Sequence, residues 1–160
     1  MTIISNDPIQ PDEAPATVAK WLGYTGLIPF FTASIGILIF RSDIELQSFI
    51  GLALLVYGAV ILSFLGGIRW GTALNLHDKQ AQKWQLCLSV LPSLLGWTCV
   101  LLQNLPIGLM VLALGFLGQL YFDLRSAAAE QLPRWFAKLR THLTAGAIIS
   151  LVFGAGVQML

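Results

Sequence analysis

From Leu22 to Met159 the chain alternates long apolar runs with short polar breaks, and the lengths of those runs decide the first reading. A helix needs about 20 apolar residues to cross a hydrocarbon core of ~30 Å. Five runs meet that length, at about residues 22–40, 46–68, 84–102, 105–122 and 142–159. The breaks are Arg41-Ser42-Asp43-Ile44-Glu45, the stretch from Asn75 to Lys83, the pair Gln103-Asn104, and a longer polar stretch that opens at Asp123. The second run continues past Trp70 towards Leu76 without a strong break. Trp21 and Tyr24 sit where amphipathic rings anchor a helix at the membrane interface.

Prolines modify three of these helices. Pro29 lies inside the first run, and a proline removes a backbone donor and crowds the preceding turn, which predicts a kink or broken turn near Gly26-Leu27-Ile28-Pro29. Such a break serves either as a hinge or as an ordinary kink satisfied by neighbouring helices, and the second is the commoner case in membranes. Pro92 interrupts the third run within Leu91-Pro92-Ser93, while Pro106 falls in the first turn of the fourth, where proline is tolerated. Beyond Asp123 the sequence turns polar but stays helix-friendly, and Pro133 marks a fresh start. Leu132, Phe136, Leu139 and Leu143 then recur at helical spacing, with Arg134 and Lys138 on another side. This pattern predicts a short amphipathic helix at headgroup level before the last span. The fold class is an all-α membrane protein, a bundle of five transmembrane helices with that interfacial helix.

Residues 1–20 differ from the rest. They are polar and hold Pro8, Pro11 and Pro15 beside Asp7, Asp12 and Glu13, which predicts a disordered tail ahead of a membrane domain at 21–160. They match neither a secretory signal nor an Arg-rich transit peptide, so the first span is expected to direct insertion.

Composition narrows the class and excludes others. With 56% hydrophobic and 11% charged residues and a mean hydropathy of +0.76, the chain lies far from a water-soluble domain. A net charge of +1 with no basic stripe gives no sign of a nucleic-acid partner. Cys87 and Cys99 fall twelve residues apart in one helix, roughly 18 Å along its axis, and cannot form a disulfide with each other. The distribution of charge is more informative than its sum. Lys20, Arg69, Lys79, Lys83, Arg125, Arg134, Lys138 and Arg140 fall on one face of a five-span topology, and only Arg41 on the other. By the positive-inside rule the amino terminus is expected in the cytoplasm and the carboxyl terminus outside.

The second span ends in Phe64-Leu65-Gly66-Gly67-Ile68-Arg69-Trp70-Gly71. Ala59, Ser63, Gly67 and Gly71 recur every four residues and predict a close helix-packing seam, and Gly146, Ser150 and Gly154 repeat the spacing in the last span. Together with Tyr57-Gly58-Ala59, Leu91-Pro92-Ser93 and Pro133-Arg134-Trp135-Phe136 followed by Leu139-Arg140, that run resembles the transmembrane protein 69-like family. The family comprises small bacterial and mitochondrial inner-membrane proteins and is labelled a domain of unknown function. The resemblance covers about Trp21 to the end. It implies a multi-pass inner-membrane protein of one domain and brings no activity, cofactor or catalytic residue.

Candidate chemistry is sparse. Arg69 is a basic residue within an apolar segment and needs a partner or a route to the interface. Gly115, Gln119 and Asp123 share a face of the fourth helix, which ends on the same side as Arg69, so Arg69, Trp70, Gln119 and Asp123 form the candidate polar cluster, with an Arg69 to Asp123 ion pair at its centre. Such a pair serves as a gate or proton site; the structural alternatives are a clasp between two helix ends or two independent side chains reaching the headgroups. Residues this near the interface favour the structural readings. His77 and His142 are the only histidines, and no His-X-X-Glu-His, Cys-X-X-Cys or carboxylate cluster completes a metal shell around them. Ser63, Ser89, Ser93 and Ser150 lack both a nucleophile elbow and a histidine at their depth. No enzyme, metal or cofactor is expected. The function expected is structural, assembly or interaction work within the membrane, with a small-solute or proton transporter or channel using Arg69 and Asp123 as the alternative. The partners expected are the bilayer, other membrane proteins or a second copy, and anionic headgroups held by Arg134, Lys138 and Arg140.

Overall fold

The computed structural model describes residues 13–128 and 134–160, and among them every regular element is a helix. In chain order these are α1 (Glu13–Thr25), α2 (Ile28–Ile39), α3 (Ile44–Ala73), α4 (Lys79–Leu101), α5 (Leu105–Ala128) and α6 (Arg134–Gln158). α1 and α2 together make one span, Thr17–Ile39, and the other four helices each contain another, which gives the five spans expected.

The boundaries follow local chemistry. Asp43 caps α3 by accepting from the backbone N–H of Leu46 at 3.0 Å, and Asp78 caps α4 through the N–H of Gln80 at 2.9 Å. Asn104 does the same ahead of α5, where its side-chain oxygen accepts from the N–H of Ile107 at 3.2 Å. The break at Gly26-Leu27 lies where Pro29 predicts it. The Gly26 carbonyl, left over at the end of α1, accepts a hydrogen bond from the Tyr57 hydroxyl of α3 at 2.9 Å.

α3 is the central helix and touches α2, α4, α5 and α6. Phe30, Leu54, Leu62, Leu112, Phe116 and Leu151 form the core around it, with the Phe30 ring set edge-on against both Tyr57 and Phe116. Outward positions such as Phe49, Val60, Phe64 and Leu114 are large, apolar and exposed, the reverse of a soluble surface. Trp21, Trp70 and Trp84 stand exposed towards one end of the bundle and Trp97 towards the other.

Three expectations are corrected. Residues 1–12 of the expected disordered tail lie outside the described residues, but 13–20 are helical. Ala14, Ala16 and Ala19 are strong helix formers, and Pro15 falls in the first turn, where it costs no hydrogen bond. Among the described residues no separate interfacial helix precedes the last span, because α6 runs unbroken from Arg134 to Gln158. The amphipathic pattern at Phe136, Leu139 and Leu143 is the inward face of that same helix.

The third correction concerns the packing seam. Ala59 does meet a second backbone, since a side chain at Gly96 of α4 would come within 3.1 Å of it. Gly67 and Gly71, however, have nothing near them within the chain and face outward. Gly66 takes the expected place, pressed against the Ser89 carbonyl and Pro92. The reason is angular. At about 100° per residue, four residues overshoot a full turn by about 40°, so a stripe with that spacing drifts off the contact within three steps. Seven residues fall short of two turns by only about 20°, so Ala59, Gly66 and Ala73 stay in line and all three are buried.

Candidate functional site

The helix ends that carry Lys79, Lys83 and Arg125 form the basic end of the bundle, and the buried charged groups lie just inside it. Asp123 of α5 is the hub. Its Oδ2 accepts from Arg140 Nε of α6 at 2.8 Å, and its Oδ1 accepts from Gln119 Nε2, one turn earlier on α5, at 3.0 Å. Both residues of the ion pair are largely enclosed, with side-chain exposures of 6% for Arg140 and 13% for Asp123.

Arg69 is buried nearby on α3 but does not pair with Asp123. Its Nε donates to Gln85 Oε1 of α4 at 3.0 Å, and its guanidinium lies over the Phe122 ring with 4.2 Å to the centroid. The expected Arg69 to Asp123 bond is therefore replaced by two separate arrangements. α3 packs most closely on α4 and α5 on α6, so the face that holds Gln119 and Asp123 turns to α6, and Arg69 finds its acceptor on α4. Gln119 joins the cluster through its bond to Asp123. Trp70, the fourth expected member, points outward.

Sequence reading placed Arg140 with the headgroup anchors, and the structure turns it into the bundle. Lys138 beside it is exposed, while the side chain of Arg134 lies outside the described residues. One signal was available. Arg140, Thr144, Ala147 and Leu151 fall at the 3.6-residue period of a single inward face, and all four are buried.

Two cavities adjoin this cluster. One, of about 460 Å³, is walled by α1, α2, α3, α5 and α6, with Gly23, Phe30, Leu65, Phe116, Leu139 and Leu143 among its apolar lining and Arg140 and Thr144 as its polar groups. The other, of about 580 Å³, lies along α4 and α5 between Arg69, Gln119 and Phe122 at one end and Thr98 at the other. Tyr57 and Asp123 line neither. Arg140 Nη2 and Thr144 Oγ1 are buried without a hydrogen-bond partner, as is Ser150 Oγ.

Among the described residues no three His, Cys, Asp or Glu side chains converge as a metal site. His77 is exposed ahead of α4, and His142 Nδ1 lies 3.3 Å from the Tyr24 hydroxyl. Cys87 is exposed and Cys99 buried, both as free thiols.

The sequence profile of a family described as "Protein of unknown function (DUF3429)" matches residues 15–156. The chain is 37% identical over 136 residues to Transmembrane protein 69 of Xenopus tropicalis, covering 84% of this chain and 52% of that protein. It is 33% identical over 136 residues to Transmembrane protein 69 of Mus musculus, covering 84% of this chain and 54% of that protein. The chain thus spans about half the length of these curated relatives. No solved structure matches.

Proposed function

We propose, from the premise that this chain belongs to the DUF3429 family of multi-pass membrane proteins of unknown function, that it works as an interaction protein of the bilayer, holding apolar or amphipathic membrane components against its helices. The observation that carries this reading is the lining of the two cavities. Both are walled mainly by leucine, phenylalanine, glycine and alanine, and each meets the polar cluster through only two polar groups near one end, Arg140 and Thr144 in one and Arg69 and Gln119 in the other. A wall of that kind favours hydrocarbon over a hydrated solute.

The cluster itself supports a clasp. Asp123 spends both oxygens on partners in the chain, and Arg69 spends its Nε on Gln85. This ties α3 to α4 and α5 to α6 at one end of the bundle. The second reading, a proton or small-solute path, rests on the same buried charges, which in membranes often mark such paths. It fits less well because a path needs polar groups through the full depth.

The basic end is assigned to the cytoplasmic side of a bacterial inner membrane, with the amino terminus there and the carboxyl terminus outside, on the eight-to-one distribution of basic residues. Lys138 is the exposed candidate for anionic headgroups. The deciding experiment is flux in sealed proteoliposomes carrying a pH-sensitive dye and an imposed proton gradient. Decay no faster than in protein-free vesicles is expected. Protein-dependent decay that disappears in Asp123→Asn would replace the interaction reading with the transport one.

A further inference from the structure

The Arg140 and Thr144 cavity joins three features that packing alone does not explain. The first is a pair of orphaned donors. Arg140 is 5% exposed and Thr144 1%, yet the Nη2 of one and the hydroxyl of the other have no partner, although buried polar groups are nearly always satisfied. They stand four residues apart on α6, so they lie on one face a turn apart, and both line the same cavity. The second is charge. The buried cluster of Arg69, Arg140 and Asp123 carries a net charge of +1, with Arg140 lining this cavity beside its Asp123 partner and Arg69 lining the other. The third is shape. The volume of about 460 Å³ falls in the lower part of the ~300–1,000 Å³ range of small-molecule sites, and Phe64, exposed on the outer side of α3, stands at the rim.

From these we infer that the cavity binds a single-chain anionic amphiphile, a long-chain fatty carboxylate that enters from the bilayer between α1 and α3. One carboxylate oxygen accepts from Arg140 Nη2 and the other from the Thr144 hydroxyl, which satisfies both donors and offsets the net positive charge of the nearby cluster. The hydrocarbon chain lies along Leu27, Phe30, Leu143 and Ala147. A chamber of this size suits one chain, and two donors match the two oxygens of one carboxylate. The inference rests on the reading of the protein as a holder of membrane components, and it names the component.

The test is native mass spectrometry of the full-length chain in detergent, titrated separately with palmitate, hexadecanol and phosphatidylglycerol. Palmitate is expected to bind one to one and more tightly than either of the others. Arg140→Ala strips Asp123 of its charged partner and can fail to fold, so the informative variant is Thr144→Val, which keeps the shape and removes a hydroxyl that makes no bond in the chain. It is expected to keep the thermal stability of the ligand-free protein, to weaken palmitate about tenfold, as loss of a hydrogen bond to a charged group does, and to leave hexadecanol unchanged. Hexadecanol or phosphatidylglycerol binding as tightly as palmitate would overturn the inference, and so would Thr144→Val binding palmitate like the parent. Absence of palmitate binding in a protein whose vesicles stay tight to protons removes this inference alone. A proton leak removes the wider reading instead.

Discussion

At the scale of single residues the molecule turns on which acceptor each buried arginine finds. Asp123 and Arg140 are enclosed together, and removing either strands the other in a medium that solvates charge poorly. Asp123→Ala and Arg140→Ala are each expected to destabilise by about 3–5 kcal/mol, and the double variant by less than the sum, in thermal or denaturant unfolding in detergent. Additive losses would show that the pair carries no coupling. The parallel cycle between Arg69 and Asp123 should show a smaller coupling, because the Nε of Arg69 is spent on Gln85 and its plane on Phe122. Tyr57 offers a neutral counterpart. Tyr57→Phe keeps the ring against Phe30 but leaves the Gly26 carbonyl without its donor, at a cost of about 1–3 kcal/mol. Hydrogen exchange should rise at the junction of α1 and α2 more than elsewhere in the bundle.

At the scale of elements, α3 and α4 bring their backbones together at two points. Ala59 meets Gly96 and Gly66 meets Ser89, seven residues apart on each helix and running in opposite directions. Gly66→Leu would drive its side chain into a backbone carbonyl that cannot retreat, and Gly67→Leu, next to it, would extend into open space. The first is expected to lower stability by about 1–3 kcal/mol or more and to reduce expression, and the second to leave both near the parent values. Equal damage from the two would mean that the outward face of α3 is covered by another molecule. α6 shows how one helix combines roles that the sequence pattern separates, with Lys138 exposed, Leu139 and Arg140 inward, and an apolar span continuing from the same axis.

At the scale of the whole molecule, five spans put the two ends of the chain on opposite sides of the membrane if every span crosses it. Reporter fusions at the amino and carboxyl termini are expected to report opposite compartments, the amino-terminal one cytoplasmic. Finding both reporters on one side would reduce the number of spans that cross, and the segment from Thr17 to Ile39, broken at Gly26-Leu27, would be the first to re-examine. The polar cluster and both cavities meet near the basic end, so substitutions of the ion-paired Asp123 and Arg140 should alter ligand retention and stability together, while the exposed apolar belt should tolerate exchange among leucine, isoleucine and phenylalanine.

The sequence alone determined the class, the span count and the break before Pro29. These depend on run length and on proline chemistry, both of which act along one chain. It also identified Arg69, Gln119 and Asp123 as residues sharing one end of the bundle. Tertiary structure decided what the sequence pattern left open, namely which helix each of them faces. Asp123 is held by Arg140 because α5 packs on α6, and Arg69 by Gln85 because α3 packs on α4. The same holds for the glycines. Gly66 and Gly67 are adjacent and chemically identical, and only the rotation of α3 against α4, about 100° per residue, makes one a close contact and the other an open surface.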